Sequence, residues 1–487
     1  MHPPRFLKLI LLFLALPTFG QTTLHVDIGG GAAFTSIQAA VLAAAPGDTI
    51  LVEPGVYDEH VIIAKDLTLR STQGPAVTAI APVTQGTAVN VGDVITLAHL
   101  SVTVEGFRMT STGSNAAFGA PAQEGGIRVT SFSTLFLRNC VVAGCSGGNA
   151  FGGFFPDGAA GGIALFGGIF TTTAPTTLIM ENCLVANNHG GNGTTSGGAG
   201  GISQGVNTSC EMRHCTFSGN VGGMGGGTPP IAPPGIGALD AQQGTALVEN
   251  SVFWGDQGGT NGLGAAVNEI AGAATVSNCD VEGGFAGTGN IDVDPLFTGP
   301  ATGDYSPQAG SPVIDAGVCS ATNPRGHDVA ENPRVRGFAP DMGAYEFLHD
   351  TTRMGTSEDI LLTTVVNGNN ANALLNTKNI VGGDMLVVHW ESPCGSLDGG
   401  LYYLGAQFYV PGQEPMPQFP FVYLDSIGGS IIQGPIPLPA GGVDFNMTVP
   451  MGSFMPAVVR VQVLVVTPLA HHLPFAVTSD AQDLIFQ

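Results

Sequence analysis

Leu135-Phe-Leu-Arg-Asn-Cys140-Val-Val returns along the chain as Leu178-Ile-Met-Glu-Asn-Cys183-Leu-Val and as Cys210-Glu-Met-Arg-His-Cys215-Thr-Phe. It recurs again as Ala246-Leu-Val-Glu-Asn-Ser251-Val-Phe and Ala274-Thr-Val-Ser-Asn-Cys279-Asp-Val, with Val102-Thr-Val-Glu-Gly-Phe107-Arg-Met in the same frame. Each copy alternates apolar and polar residues, turns at Asn or Gly, and alternates again: strand, corner, strand. Copies 28 to 43 residues apart predict a solenoid of stacked coils.

Stacking the copies gives columns. Met109, Val142, Val185, Phe217, Phe253 and Val281 form an apolar column, as inward side chains must. So do Val104, Leu137, Met180, Met212, Val248 and Val276. Asn139, Asn182, His214, Asn250 and Asn278 mark the corner, where Asn tolerates a left-handed backbone and can pass an amide hydrogen bond between coils. One place earlier, Arg70, Glu105, Arg138, Glu181, Arg213 and Glu249 alternate in sign. Strands about 4.8 Å apart would set unlike charges side by side. That ladder fixes register and commits these groups to structure.

Between the phrases lie the Gly-rich stretches 144–162, 189–201, 219–237 and 255–264, all at one point of the coil and so on one side of the solenoid. Such insertions are where repeat proteins often bind partners, or else tolerated padding. Few of their residues titrate, which makes them poor catalytic loops.

Composition agrees with a packed repeat: 73 glycines in 487 residues, 10% charged residues and a formal net charge of −23. That balance argues against nucleic-acid binding and is compatible with calcium. Residues 1–20 read as an export signal, with Arg5 and Lys8 ahead of the apolar run Leu9 to Leu16 and a cleavage site before Gln21. The run is too short to span a bilayer, and no later segment has that character. Eight cysteines in an exported chain read as structural. Cys140 with Cys145, and Cys210 with Cys215, are spaced for a staple across a turn rather than for zinc, and connectivity stays open.

Thr35 or Ser36 caps a short helix with Ile37, Val41 and Ala44 on one face, and Thr49 to Val52 begins the first strand. The expected domains are the signal 1–20, a right-handed parallel β-helix 21–347, a polar linker 348–358 and an antiparallel β-sandwich 359–487. Strands of the last are read at Ile360 to Val366, Met385 to Trp390, Leu401 to Val410, Val443 to Val449 and Val458 to Val466.

The opening 34–71 resembles the entry to β-helix proteins of the pectin-lyase-like superfamily. Three later phrases resemble the closing segment of the choice-of-anchor Q group: Gly289-Asn-Ile-Asp-Val-Asp-Pro-Leu-Phe297, Gly310-Ser-Pro-Val-Ile-Asp-Ala-Gly317 and Pro340-Asp-Met-Gly-Ala-Tyr-Glu-Phe347. The resemblance implies an exported or cell-surface solenoid and supplies no common reaction.

Pectin-lyase-like solenoids often act on polysaccharides, so three chemistries come into question. For a calcium-dependent lyase, Asp292 and Asp294 are the candidate metal ligands, with Asp304 beside them and Arg325, Arg334 and Arg336 nearby; a turn in the closing segment is the competing role. A polygalacturonase-like Asp pair with His-Gly and Arg-x-Lys is missing, and Gly326-His327-Asp328 is only an echo. No Gly-x-Ser-x-Gly occurs in a strand-to-helix context, and no Cys has a clear His partner; His189 and His214 read as packing. Trp390, Tyr402 and Tyr403 would stack on sugars if exposed and fill a core if not. The sequence therefore points to a non-catalytic protein that engages extracellular polysaccharide or surface proteins. A lyase or hydrolase of uronate-containing polysaccharide is the alternative, and no catalytic residue is assigned.

Overall fold

In the computed structural model the phrase copies stack as expected. The structure describes residues 21–486 apart from 93–98, 117–120, 131, 151–156, 168–173, 227–232, 261–267, 322, 324–325, 350–351, 357, 416–421, 425–428, 452–456 and 468–475. Residues 1–20, read as the export signal, lie outside it.

Three parallel ladders run the length of a β-helix. The first joins Thr49–Val52, Leu67–Ser71, Ser101–Glu105, Thr134–Arg138, Thr176–Glu181 and Thr208–Arg213. It continues through the second halves of Leu239–Glu249 and Ile270–Ser277. The second runs from Val61–Ile63 through Val89–Val91, Ile127–Val129, Ile163–Leu165 and Ile202–Gln204 to the first halves of those two long strands. The third runs from Gly55–Tyr57 to Asp280–Val281. Pairing places Arg70 beside Glu105, Glu105 beside Arg138, and so on to Glu249, residue for residue as the charge column requires.

The corner column is left-handed throughout: φ is 49° at Asn139, 54° at Asn182, 51° at His214, 49° at Asn250 and 52° at Asn278. Asn182 Nδ2 donates to Asn139 Oδ1 at 3.3 Å, and Asn250 Nδ2 lies 3.2 Å from His214 Nε2.

The helix Ile37–Ala43 is N-capped by Ser36 and buries Ile37, Ala40 and Val41 over the first coil. A strand that sequence reasoning missed, Thr23–Val26, precedes it and pairs with Thr49–Val52.

The cysteine reading needs correction. Cys140, Cys145, Cys183, Cys210, Cys215 and Cys279 are buried thiols, and the disulfide is Cys319–Cys394. Cys140 and Cys145 flank the strand Val141–Ala143 and enter different core columns, so neither reaches the other. Cys140 stacks with Cys183 and Cys215 between coils, filling the site as a small hydrophobe does. Burial pushes its thiol up to about 12.

The closing segment does not sit at the end of the solenoid. It folds back along the third ladder and covers its outer face over the coils from Val141 to Val252, while Val56 and Arg108 of the earlier coils stay exposed. Tyr305, Val329 and Ala344 pack on Val141, Ala143, Leu184 and Ala186, and Val313 and Met342 pack on Val252. Corner side chains anchor it. Asn182 Nδ2 donates to the His327 carbonyl at 2.6 Å, Asn250 Nδ2 to the Val318 carbonyl at 2.9 Å, and Asn187 Nδ2 to Tyr305 Oη at 2.8 Å.

From Leu361 the sheets are separate. One holds Leu361–Val366, Met385–Glu391 and Val443–Thr448. The other holds Thr377–Ile380, Gln482–Phe486, Ala457–Val466, Leu401–Tyr409 and Gly429–Pro437. Pairing is antiparallel except where Thr377–Ile380 runs parallel to Gln482–Phe486. Within the stretch read as a linker, Thr356 is buried and bonds Thr478.

Candidate binding face

With the later coils of the third ladder covered, the first and second ladders and the glycine-rich stretches remain open. The stretches are not padding. Each leaves the third ladder as an outgoing leg, near 145–150, 188–193, 220–226 and 256–260, and the coil before them does the same near 112–116. In chain order, the first four of these five legs return toward the second ladder near 121–126, 157–162, 196–201 and 233–238. Along the outgoing legs the N–H groups of Gly144, Gly147 and Ala150 donate to Ala186, His189 and Asn192 of the next coil. That three-residue period is the period of a polyproline II helix, which has no internal hydrogen bonds and must find partners outside itself.

Those partners are other legs. Gly148 N–H donates to the Gln123 carbonyl, Ala159 to Gly148, Gly191 to Ala159, Gly198 to Gly191, Gly223 to Gly198, Gly235 to Gly223 and Gly259 to Gly235. The bonds zigzag between the outgoing and return layers and bring backbone against backbone. A Cβ on Gly191 would lie 1.9 Å from the Gly148 oxygen, and one on Gly198 2.0 Å from the Ala159 oxygen. Glycine is therefore required here for contact rather than for flexibility.

The three-residue period turns every third side chain outward. Thr112, Ser146, His189, Val221 and Gln257 form one row, joined as parallel bridges. Asn115, Asn149, Asn192, Met224 and Thr260 form the next. Asn115 Oδ1 accepts from Asn149 N–H at 2.8 Å, Asn149 Oδ1 from Asn192 N–H at 2.7 Å, and Asn192 Oδ1 from Met224 N–H at 2.8 Å. Each amide oxygen is thus held by the neighbouring coil. None of the three Nδ2 groups has a protein acceptor among the described residues. The result is a fixed row of N–H donors, partly or fully exposed and repeating at roughly 4.8 Å.

The first ladder also presents a regular face. Ser101, Thr134, Thr177, Ser209 and Thr245 align as a hydroxyl row. The charge row resolves into pairs: Arg70–Glu105 at 3.5 Å, Arg138–Glu181 at 3.5 Å and Arg213–Glu249 at 3.3 Å. Its arginines therefore have carboxylate partners. On the second ladder Arg128 stacks 4.6 Å above Phe166 and lies 3.7 Å from buried Glu124.

The carboxyl pair that does form is inaccessible. Asp256 continues an inward column, where Asn188 Nδ2 donates to Asn220 Oδ1 at 2.9 Å and Asn220 Nδ2 to Asp256 Oδ1 at 2.7 Å. Glu269 meets Asp256 there, with Glu282 nearby, and both are buried. Burial raises both carboxyl pKa values, and two facing carboxylates do not both ionise readily. Burial also pushes Asp280 up to about 7.

In the unfolded chain such carboxyls titrate near pH 4, roughly. The native state then holds protons that the unfolded chain has released, from about pH 4 up to about pH 7 for Asp256 and Asp280 and up to about pH 10 for Glu269. The stabilising contribution is full below that window and is lost as pH rises through it. The thermal midpoint is expected to fall from pH 4 to pH 8. Glu269→Gln should flatten the fall and be more stable than the parent at pH 8; identical profiles would contradict this.

The sequence-predicted residues are spread out. Asp292 Oδ1 accepts from Gly283 N–H at 3.1 Å, Asp294 Oδ1 from Leu296 N–H at 2.9 Å, and Asp304 Oδ1 from Ser306 N–H at 3.1 Å. Each carboxylate thus holds a turn. Among the described residues no three His, Cys, Asp or Glu side chains group to hold a metal. Arg334 and Arg336 belong to the closing segment and are buried, Arg334 against His214 and Glu346 and Arg336 against Asp480, and Arg325 lies outside the described residues. His189 stands in the outward row, while His214 is buried in the corner column, its pKa lowered by burial and then by Arg334. Trp390 and Tyr402 are buried with ring centroids 5.4 Å apart, so they fill the sandwich core; Tyr403 is half-buried. Sequence reasoning missed the Asn115, Asn149, Asn192 row, although Ser-Gly-Gly-Asn149 and His-Gly-Gly-Asn192 display its period.

No family model and no curated protein matches the sequence. Solved structures give distant likenesses. A pectin methylesterase variant bound to a hexasaccharide aligns over 58% of this chain and 98% of its own, at 11% identity and a TM-score of 0.28. The pectin methylesterase of Aspergillus niger aligns over 55% and 82%, at 15% identity and 0.29. PemA of Erwinia chrysanthemi aligns over 54% and 80%, at 11% identity and 0.24. Likenesses this loose decide nothing about chemistry, and the fold rests on the strand register itself. Among the described residues no helix is long and apolar enough to cross a membrane.

Proposed function

We propose that this chain is an exported, non-catalytic solenoid that holds a linear polysaccharide along the outgoing glycine legs. The observation that carries the reading is the donor row of Asn115, Asn149 and Asn192. Its oxygens are consumed by neighbouring coils and its N–H groups are open, so hydrogen bonding to a ligand needs little further ordering. A row repeating at roughly 4.8 Å suits a ligand that itself repeats along the solenoid axis. The net charge of −23 favours a neutral glycan over a polyuronate. The apolar run before Gln21 supports export to the extracellular space or cell surface. The entry and closing phrases support an architecture like that of the pectin-lyase-like superfamily and the choice-of-anchor Q group.

Affinity electrophoresis tests this proposal. The mature chain is run through gels containing a neutral linear glucan, xylan or mannan, or polygalacturonate. Unsaturated products are read in parallel by ultraviolet absorbance, and reducing ends by colorimetry. Retardation by a neutral glycan without product release is expected. Product release would restore the lyase or hydrolase reading, and unaltered mobility in every gel would overturn polysaccharide binding.

A further inference from the structure

The C-terminal sandwich is filled at one end and open at the other, and residue size explains the difference. Two sheets stack about 10 Å apart, a gap that bulky side chains must bridge. At one end Trp390 and Tyr402 do so, against Val463 and Val465. At the other end the facing positions carry Leu386, Val388, Leu404, Val459, Val461 and Leu484, which leave an opening of about 340 Å³ between the sheets. Phe408, 75% exposed, and Ile432, 51% exposed, stand at its mouth.

Protein interiors keep few voids larger than a water molecule. This one falls in the range of ligand pockets, roughly 300–1,000 Å³, and every described side chain that lines it is apolar. Water inside would lack hydrogen-bond partners. A peptide strand would bury unsatisfied N–H and carbonyl groups, and a sugar would bury hydroxyls. A hydrocarbon chain loses nothing on entry.

We infer that this cleft binds the aliphatic chain of an amphiphile whose neutral head group stays at the mouth. At about 30 Å³ per methylene, close to the volume of a water molecule, the opening takes a chain of on the order of ten carbons. Among the described residues no cation lines the cleft and the chain as a whole is strongly acidic, so an anionic head gains nothing there. The inference is independent of polysaccharide binding, which involves a different part of the molecule.

The test is calorimetric titration of the full mature chain with n-dodecyl-β-maltoside below its micelle concentration, and with dodecanoate under the same conditions. Saturable binding of one maltoside per chain is expected, with a raised thermal midpoint and affinity at least ten-fold above that for dodecanoate. Val461→Phe, which fills the cleft from the sheet, should weaken binding at least ten-fold while the unliganded midpoint holds. Ala457→Phe fills it from the rim and gives a second reading should the first variant fold poorly. Absence of saturable binding, or undiminished binding in both filled variants, would overturn the site. Equal affinity for dodecanoate would overturn the neutral head group.

Discussion

Gly191→Ala is expected to destabilise the protein by about 3 kcal/mol, near the upper end of what overpacking costs. The added methyl group would sit 1.9 Å from the Gly148 carbonyl oxygen, far inside the contact distance of about 3.5 Å. That oxygen is backbone, so no rotamer change relieves the clash; whole legs must part. The hydrogen bonds from Gly191 to Ala159 and from Gly198 to Gly191 would be lost together. Gly198→Ala should behave alike, its methyl group meeting the Ala159 oxygen at 2.0 Å. Met224→Ala, at a position 53% exposed on a neighbouring leg, should change stability by less than about 0.5 kcal/mol. Denaturant midpoints of the three variants decide the matter. If Gly191→Ala matches Met224→Ala, the legs are not in backbone contact.

Arg334→Met should cost about 3–5 kcal/mol, the usual loss when one partner of a buried ion pair is removed. The side chain is 1% exposed and clasps the closing segment to the corner column. Nη1 donates to the Gly343 carbonyl and Nη2 to the Ala344 carbonyl, both at 3.0 Å, while Nη1 also lies 3.3 Å from His214 Nδ1 and 3.5 Å from Glu346 Oε2. Methionine keeps much of the volume but strands the Glu346 carboxyl, whose pKa burial already raises. Adding Glu346→Gln should recover part of the loss, because the residual cost belongs largely to the unpaired group. Thermal unfolding and limited proteolysis within 289–347 report the effect. A single variant that is as stable and as protease-resistant as the parent would show that the clasp does not hold the segment.

The solenoid was legible because parallel coils place equivalent residues side by side, so one column of alternating charge, Arg70 to Glu249, tests every register at once. Five sandwich strands, Leu361–Val366, Met385–Glu391, Leu401–Tyr409, Val443–Thr448 and Ala457–Val466, were legible from alternation, whereas Thr377–Ile380, Gly429–Pro437, Ala476–Thr478 and Gln482–Phe486 were not read. The return path of the closing segment was not read, although its signal was present. Val141-Val-Ala143 and Leu184-Val-Ala186 are apolar at every position, as strands covered on both faces must be. The cysteine spacing misled because sequence distance says nothing about direction: Cys140 and Cys145 both turn inward, into separate columns. The donor row escaped notice because a period of three is neither the strand's period nor the helix's, and glycine-rich sequence hides it. The carboxyl pair Asp256–Glu269 was invisible because its members come from opposite ends of one long excursion.

The most direct test of polysaccharide binding is the affinity of Asn149→Asp/Asn192→Asp for the neutral glycan that retards the parent. Aspartate keeps the oxygen that takes the neighbouring N–H and replaces the outward NH₂ group with an acceptor, so the legs stay bonded while two donors disappear. With each lost hydrogen bond contributing about 1 kcal/mol, affinity should fall roughly ten-fold or more, with the thermal midpoint close to that of the parent. Unchanged affinity in this folded double variant would contradict the assignment of the asparagine row as the binding face.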